Sequence, residues 1–245
     1  MVINVHGGHN RIVPGASGYL DEVTEDRAVT AQVIAKLQAL GHTVYDCTDD
    51  SGRTQGQNLA NIVHACNAHA ADLDVSIHLN SGGGTGTEVL VYSDTGEAAG
   101  YAVKICAAIS ELGYRNRGVK ERKNLYVLRR TTAPALLVEC CFVDSAADAQ
   151  RFDADKMAAA IVRGITGQTA AQTGAAPAQQ TGYHVRITAS VLTVRRDHSA
   201  SSAVATQVRR GEVYTIVAEY NNGGTMWGKL KSGAGWIALN YTQSV

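Results

Sequence analysis

Asp74-Val75-Ser76-Ile77-His78-Leu79-Asn80 is the stretch that decides the fold. Its apolar side chains alternate with polar ones, and a glycine-rich run over residues 81–84 follows it, which predicts a buried strand that ends at an open edge of a sheet. In α/β proteins the binding crevice lies at the carboxyl ends of such strands. His78 is therefore a candidate metal ligand, although a single histidine at a strand end is more commonly an ordinary polar residue.

Segments with helical periodicity alternate with strand-like segments on both sides of this stretch. Strands are predicted at residues 2–5, 43–47, 87–92, 125–128 and 135–139, and a charged loop at 113–123. The first helix is expected to begin near Glu22, with Thr24 as its cap, and to stop at Gly41. This alternation predicts an α/β fold with a mostly parallel central sheet flanked by helices.

The composition changes after Gly167. Residues 168–182 are uncharged and rich in Ala, Gln, Thr and Gly, which predicts a flexible linker. Residues 183–245 contain short strand-like segments separated by turn residues, which predicts a small all-β barrel. We therefore expect a first domain over 1–167 and a second over 183–245.

The charge of the chain is unevenly distributed. Residues 183–245 contain seven Lys and Arg against three Asp and Glu, a net of +4, and the remainder has 15 basic and 19 acidic residues, a net of −4. Such an imbalance is typical of a basic module that contacts a polyanion, and it is equally compatible with ordinary variation on a small domain.

Composition also bears on the compartment. No apolar run reaches membrane-spanning length, and the first residues, which lead directly into a strand, lack the pattern of a signal peptide. The five cysteines are odd in number and lie within apolar patterns, as expected for reduced core residues. These features favour folding in a cytoplasm and no membrane partner.

Polar residues at several predicted strand ends suggest a zinc site. Hydrolytic zinc is held by three protein ligands, of which two His and one Glu are a recurring set, and a separate carboxylate accepts the proton of the attacking water. The candidate ligands are His9 or His6, together with Glu22 and His78, and the candidate base is Glu139. No short HExxH-like motif supports the assignment, so spacing alone is a weak signal.

The order of the motifs resembles a known family. The motifs are Gly8-His9, Pro14-Gly15-Ala16, Glu22, Ser76-Ile77-His78-Leu79-Asn80, the stretch from Leu125 to Arg129 and the stretch from Pro134 to Glu139. Over residues 1–166 this pattern is similar to the zinc-dependent N-acetylmuramoyl-L-alanine amidases of sporulation hydrolases and phage endolysins. The resemblance implies that His9, Glu22 and His78 bind Zn²⁺ and that Glu139 is catalytic.

The resemblance also separates His9 from His6. The family places Pro-Gly-Ala five residues after the liganding histidine, and Pro14 is five residues after His9. His6 then becomes a neighbour of the site or of the substrate cleft. The chain departs from the family pattern at Asn10 and at Cys140-Cys141, and Cys140, beside the base, is a further candidate sulfur ligand.

The tail resembles bacterial SH3-like wall-binding modules. The similarity is carried by residues 192–195, Ser201-Ser202, Arg210-Gly211 and Gly235-Trp236-Ile237. The aromatic residues that either form a ligand groove or fill the barrel core are Trp227, Trp236, Tyr214, Tyr220 and Tyr241.

Together the resemblances imply a peptidoglycan hydrolase. It would cut the amide between N-acetylmuramic acid and the L-alanine of the stem peptide, with peptidoglycan as substrate and anchor and no nucleic-acid partner. A phage or prophage endolysin that waits in the host cytoplasm is the expected context. The alternatives are another zinc peptidase of the same stem peptide and a non-catalytic wall-binding protein.

Overall fold

The computed structural model describes residues 1–168, 183–196, 198–200, 202–222 and 225–245. Two compact units divide the chain between residues 173 and 174. The predicted linker at 168–182 lies outside the described residues, apart from Gln168.

The first unit is built on a six-stranded sheet. Its strand order is β2-β1-β3-β6-β4-β5, and all neighbours are parallel except β4 and β6. The strands are β1 Val2–Gly7, β2 Thr43–Asp46, β3 Leu73–Asn80, β4 Thr87–Val91, β5 Asn116–Glu121 and β6 Ala135–Phe142. The predicted α/β class with a mostly parallel sheet is confirmed.

Six helices of the first unit cover both faces of this sheet. They are α1 Glu22–Ala39, α2 Gln55–Asn67, α3 Glu97–Ser110, α4 Tyr126–Arg130, α5 Ala146–Arg151 and α6 Ala154–Thr166. Apolar residues of α1, α3 and α6 form one large core with the sheet, and those of α2 and α4 form a smaller core on its other face. Helix α1 is capped by Asp21, whose Oδ1 accepts from Thr24 N at 2.9 Å, so the prediction of Thr24 as the cap is wrong.

Two local predictions are corrected by the structure. Residues 125–128 belong to α4 and its cap rather than to a strand, because a short apolar run does not distinguish a buried strand from a buried turn of helix. The predicted charged loop at 113–123 contains β5. Strand β5 lies at the edge of the sheet, where charged residues are normal and hide the strand pattern.

The face of the sheet that α2 and α4 cover carries a row of polar side chains. Residues on β1, β3 and β6 pair as Asn4 with Asp74, His6 with Ser76, and His78 with Glu139. Successive side chains of a strand alternate between faces, so all six lie on one side. Asn4 Nδ2 donates to the carbonyl oxygen of Cys66 in α2, which identifies that side as the α2 face.

The second unit is an antiparallel sheet. Its described strands are β7 Tyr183–Ile187, β8 Val191–Arg195, β9 Val204–Arg209, β10 Val213–Asn222, β11 Thr225–Leu230, β12 Trp236–Ala238 and β13 Thr242–Ser244. Their order is β13-β7-β10-β11-β12-β8-β9. Its core includes Val185, Ile187, Val194 and Ile216. The all-β class of the tail is confirmed, and its SH3-like identity stays a prediction.

In the described ranges, no helix combines the length and the hydropathy that a membrane span requires.

Asp74 makes the stability of the first unit depend on pH. Its side chain is buried, and burial raises the pKa of the carboxyl to about 6 from 3.8, against the opposing hydrogen bond from Asn4 Nδ2 at 2.6 Å. The folded chain then holds a proton that the unfolded chain releases, so the free energy of unfolding falls as the pH rises from about 4 to about 6. Asp74→Asn removes this titration.

We expect the free energy of unfolding of Asp74→Asn, relative to that of the parent, to be about 2 to 3 kcal/mol higher at about pH 7 than at about pH 4. Denaturant unfolding at the two pH values measures the difference. The exposed Asp94→Asn serves as control and should show no such gain. The prediction would be contradicted if the free energies of unfolding of Asp74→Asn and the parent differed by the same amount at both pH values.

Candidate metal centre

The three predicted ligands come from three different elements at the carboxyl edge of the sheet. His9 lies in the loop after β1, Glu22 is the first residue of α1, and His78 is near the end of β3. Glu22 Oε1 lies 3.1 Å from His78 Nδ1 and 3.6 Å from His9 Nε2. One possible ligand atom of each residue lies within 4.8 Å of the other two. The structure therefore brings together residues that are far apart in the sequence.

Two glycines permit this close approach. A Cβ on Gly8 would overlap the imidazole of His78, and a Cβ on Gly15 would overlap the carboxylate of Glu22. The backbone that follows Gly15 also contributes, because Ala16 N donates to Glu22 Oε2 at 2.7 Å. The Gly-His and Pro-Gly-Ala motifs are thus required by the packing around the carboxylate.

Arg27 holds the loop that carries His9. Its Nη1 donates to the carbonyl oxygen of Gly8 at 2.8 Å and to Asp26 Oδ1 at 2.7 Å, and its Nη2 donates to the carbonyl oxygen of His9 and to Asp50 Oδ1, both at 2.8 Å. His9 has a φ of 48°, in the left-handed region that costs energy for any residue with a Cβ. The guanidinium therefore fixes a strained ligand loop against α1.

The two imidazoles and the carboxylate shift one another's pKa. Burial lowers the pKa of His78, but its hydrogen bond to Glu22 and the carboxylates of Glu139 and Glu22 outweigh burial and raise it above its ordinary value. Burial raises the pKa of Glu22, and its bond to His78 reverses this, so that its pKa is lowered. The pKa of His9 is lowered by burial and by the nearby His78. Glu22 is therefore ionised at neutral pH.

This donor set fits a zinc ion. Two imidazole nitrogens and a carboxylate oxygen are one of the recurring catalytic sets, in which a fourth position stays open. Within the described part of the chain, His9, Glu22 and His78 are the group of His, Cys, Asp and Glu side chains with the spacing of a metal site. A catalytic site also requires an uncoordinated base, and Glu139 is available for that role.

Glu139 stands beside the cluster with an unused oxygen. On β6 it pairs with His78 of β3 and, on the other side, with Glu88 of β4. Its Oε2 is buried and has no hydrogen-bond partner among the described residues. Burial raises the pKa of the carboxyl to about 7, with His78 opposing and the carboxylates of Glu22 and Glu88 adding to the rise. A carboxyl group that titrates near neutral pH is suited to accept and return a proton.

A cleft of about 270 Å³ contains these groups. His9, His78 and Glu139 line it at the sheet edge, with His6 beside them. Its other wall comes from α2 and α4 and the residue before α4, and consists of Gln55, Asn58, Leu59, Ile62, Leu125, Tyr126 and Val127. The stretch from Leu125 to Arg129 thus contributes an apolar wall rather than a strand.

The structure separates the two remaining sequence candidates. Cys140 is fully buried in the core formed with α1, α3 and α6, on the face of β6 opposite to Glu139, so the suggestion of a sulfur ligand is wrong. His6 does not belong to the ligand cluster, but it lines the cleft.

Sequence reasoning missed Arg27 and Glu88. Glu88 accepts from Arg117 Nε at 2.7 Å and from Asn80 Nδ2 at 3.0 Å beside Glu139. A glutamate in the otherwise apolar run of β4 was a usable signal of a buried charge. Arg27 gave no signal, because three of its four partners, the carbonyl oxygens of Gly8 and His9 and the carboxylate of Asp50, are distant in the sequence.

The five tail aromatics lie in three different settings. Trp227 is buried and lines a cavity of about 340 Å³ with Tyr241, which is exposed. Tyr214 packs against the core of the second unit. His198 is stacked on Tyr220 and meets Trp236 edge to face. A ligand groove at these residues stays a prediction.

Comparisons with known proteins converge on one family. Residues 1–167 match the family described as N-acetylmuramoyl-L-alanine amidase. A sporulation-specific N-acetylmuramoyl-L-alanine amidase of Bacillus subtilis is 31% identical over 209 residues, which cover 83% of this chain and 80% of that protein. An uncharacterised protein of Clostridium perfringens is 38% identical over 154 residues, covering 60% of this chain and 45% of its own length. The chain thus spans about half the length of that relative.

A solved structure shares the fold of the first unit. The catalytic domain of the CD27L endolysin targeting Clostridia difficile superposes with a TM-score of 0.65 at 26% identity, covering 69% of this chain and 98% of that one.

The contact between Gly8 and His78 makes a prediction about metal affinity. In Gly8→Ala the added methyl displaces the His78 ring, so we expect the zinc dissociation constant to rise at least about tenfold, as for other changes that reorient a ligand. Competition with a chromophoric chelator measures it.

Gly100→Ala is the matched control, because Gly100 lies within α3 with open space around its Cα. That substitution should leave zinc affinity unchanged and slightly stabilise the helix. Parental zinc affinity in Gly8→Ala would show that His78 does not bind the metal in the arrangement described.

Proposed function

Because the chain belongs to the N-acetylmuramoyl-L-alanine amidase family, we propose that it hydrolyses the amide between N-acetylmuramic acid and the first L-alanine of the peptidoglycan stem peptide, using zinc. The observation that carries the proposal is the convergence of His9, Glu22 and His78 within 4.8 Å, next to the unpartnered carboxyl oxygen of Glu139.

His9, Glu22 and His78 would hold the ion. Bound zinc would supply two effects: it lowers the pKa of water to about 7, and it polarises the attacked carbonyl. Arg27 keeps the His9 loop in place, and the hydrogen bonds from Ala16 N and Leu79 N fix the carboxylate of Glu22. The ligand set is therefore organised before substrate arrives, which limits the reorganisation that the reaction requires.

Glu139 moves the proton. Its free Oε2 accepts a proton from the attacking water and returns it to the amide nitrogen, so that the C–N bond breaks and L-alanine leaves as a neutral amine. The proton count balances, because the hydroxyl of water stays on the lactyl carbon and its proton leaves with the amine.

The cleft sets the size of what is bound at the reacting centre. At about 270 Å³ it lies near the lower end of small-molecule sites, so it accommodates the scissile amide and its immediate neighbours rather than a whole muropeptide. Leu59 and Ile62 of α2 and Val127 of α4 give it an apolar wall that limits water at the base.

The second unit is proposed as a wall anchor. It carries the net charge of +4 counted in the sequence and an exposed tyrosine, Tyr241, at the rim of its cavity. Attachment to the polymer that the first unit cuts would raise the effective substrate concentration.

A lytic role from the host cytoplasm is proposed as the context. The similarity to an endolysin catalytic domain supports the lytic role. All five cysteines are buried free thiols, which suits folding in a reducing compartment.

Glu139→Gln tests the chemistry. The amide keeps the shape of the side chain but neither accepts nor returns the proton, so we expect release of new amino termini from purified walls to fall by about 10²- to 10⁴-fold. Zinc content should be unchanged, because Glu139 is outside the ligand cluster. Mass spectrometry of the parent's digest should show an unsubstituted lactyl group.

The exposed Glu97→Gln serves as control and should retain parental activity. Wild-type rates in zinc-loaded Glu139→Gln would exclude this residue as the base. Products with the lactyl–alanine bond intact would instead point to a peptidase of the stem peptide.

A chain that ends at Gly167 tests the anchor. The first unit has its own hydrophobic cores, so it should cleave soluble muropeptides at the parental rate. Its sedimentation with intact walls should fall at least about tenfold, because the second attachment point is lost. Equal wall binding by the full and shortened chains would remove the anchoring role.

A further inference from the structure

His6 occupies the cleft without a role in the reaction described above. It lies on β1, pairs with Ser76, and is 1% exposed. Its side chain shares the polar face of the sheet with His78 and Glu139 and lines the same cleft. A buried imidazole beside a catalytic centre requires a partner for each ring nitrogen or a reason for lacking one.

The hydrogen bonds of the ring specify its tautomer. Nδ1 lies 3.3 Å from the carbonyl oxygen of Gly7, and a carbonyl only accepts, so Nδ1 carries the hydrogen. Ser76 Oγ is 3.5 Å from the same nitrogen. Among the described residues, the ring's hydrogen bonds all involve Nδ1, which leaves Nε2 as a lone-pair acceptor for the contents of the cleft.

The ring also stays neutral. Burial and the neighbouring His78 lower the pKa of His6 to about 3, so the imidazole carries no charge at the pH of a cell. A neutral ring with Nδ1 protonated can accept one hydrogen bond through Nε2 and cannot compete with Glu139 for a proton at neutral pH.

We propose that His6 Nε2 accepts a hydrogen bond from a substrate amide N–H adjacent to the scissile amide, and so positions the substrate. This inference rests on the proposed amidase function. His6 pairs with Ser76, two residues before His78, so its Cα lies about 8 Å from that of His78, by one strand spacing and two residues along the strand. An extended peptide advances about 3.3 to 3.6 Å per residue, so a substrate bound beside His78 places groups one or two residues from the reacting carbonyl next to His6.

Two groups of the substrate offer such an N–H. One is the peptide bond that follows L-alanine, and the other is the acetamido group of the sugar. Two analogues separate them: a muramoyl peptide in which the peptide N–H after L-alanine is replaced by an ester oxygen, and one in which the acetamido group is replaced by acetoxy, which has no donor.

The variants His6→Asn and His6→Gln separate the two ring nitrogens. The Asn amide reaches the position of Nδ1 and keeps the contact with Gly7, whereas the Gln amide reaches the position of Nε2. On the unmodified muramoyl peptide we expect His6→Asn to lose about tenfold in kcat/KM and His6→Gln to stay within about threefold, with unchanged zinc content and Tm.

The substrate arms decide the assignment. If the loss in His6→Asn disappears on the peptide-ester analogue, the partner is the stem peptide, and if it disappears on the acetoxy analogue, the partner is the sugar. Either result supports the proposal, because it shows that the effect of the His6 substitution depends on one particular N–H of the substrate. The proposal would be overturned if His6→Asn lost kcat/KM equally on all three substrates. It would also be overturned if His6→Gln lost as much as His6→Asn and both had a lowered Tm, because His6 would then have a structural role only.

Nitrogen NMR of histidine-labelled Glu139→Gln tests the same point with His6 intact. Nε2 of His6 should be unprotonated and should shift when the unmodified muramoyl peptide binds, and no shift at saturation would overturn the proposal. The amidase function would be rejected if the wild type released no free lactyl group. The NMR measurement reports substrate binding at His6 and does not depend on that result, so the two failures can be told apart.

Discussion

The carboxylate of Glu22 is the group on which the architecture of the first unit depends. It is almost fully buried, and it contacts both His9 and His78. A buried anion is tolerated only when it is paired and hydrogen-bonded, so two imidazoles and two backbone N–H groups must surround it. Because these partners belong to the loop after β1 and to β3, the carboxylate requires α1 to start at the edge of the sheet where those strands end.

The surrounding loop shows how that requirement is met by backbone as much as by side chains. Gly8 and Gly15 leave no Cβ where the ligands meet, and Arg27 binds the carbonyl oxygens of two successive loop residues. The left-handed conformation of His9 is held by these contacts rather than by its own preference. The arrangement of the candidate metal ligands is therefore a property of the packed loop, in which no single ligand could be placed without its neighbours.

Sequence patterns predicted the parts of this protein that depend on local periodicity. The alternation within 74–80 and the apolar faces of the long helices were enough for the α/β class, and motif order identified His9, Glu22, His78 and Glu139 as residues to examine together. Patterns failed where burial is decided by distant partners. The run at 125–128 lies in a helix and its cap that pack over the cleft, and the charges of 116–121 sit on an edge strand. Cys140 faces the core, as the alternation of side chains along β6 requires once Glu139 faces the cleft. The position of Arg27 depends on a loop 18 residues away, which no local pattern records.

The two faces of the central sheet are unequal, and this difference bears on motion. The core with α1, α3 and α6 contains 29 buried apolar residues among those described, whereas the core with α2 and α4 contains eight and lies against the polar row. Local unfolding costs least where few apolar side chains are released to water. We therefore expect transient opening of the first unit to be concentrated in α2 and α4, the elements that wall the cleft, rather than on the opposite side of the sheet. Such a division would let the cleft widen by the fluctuation of one wall, without disturbing the helix from which Glu22 reaches the centre.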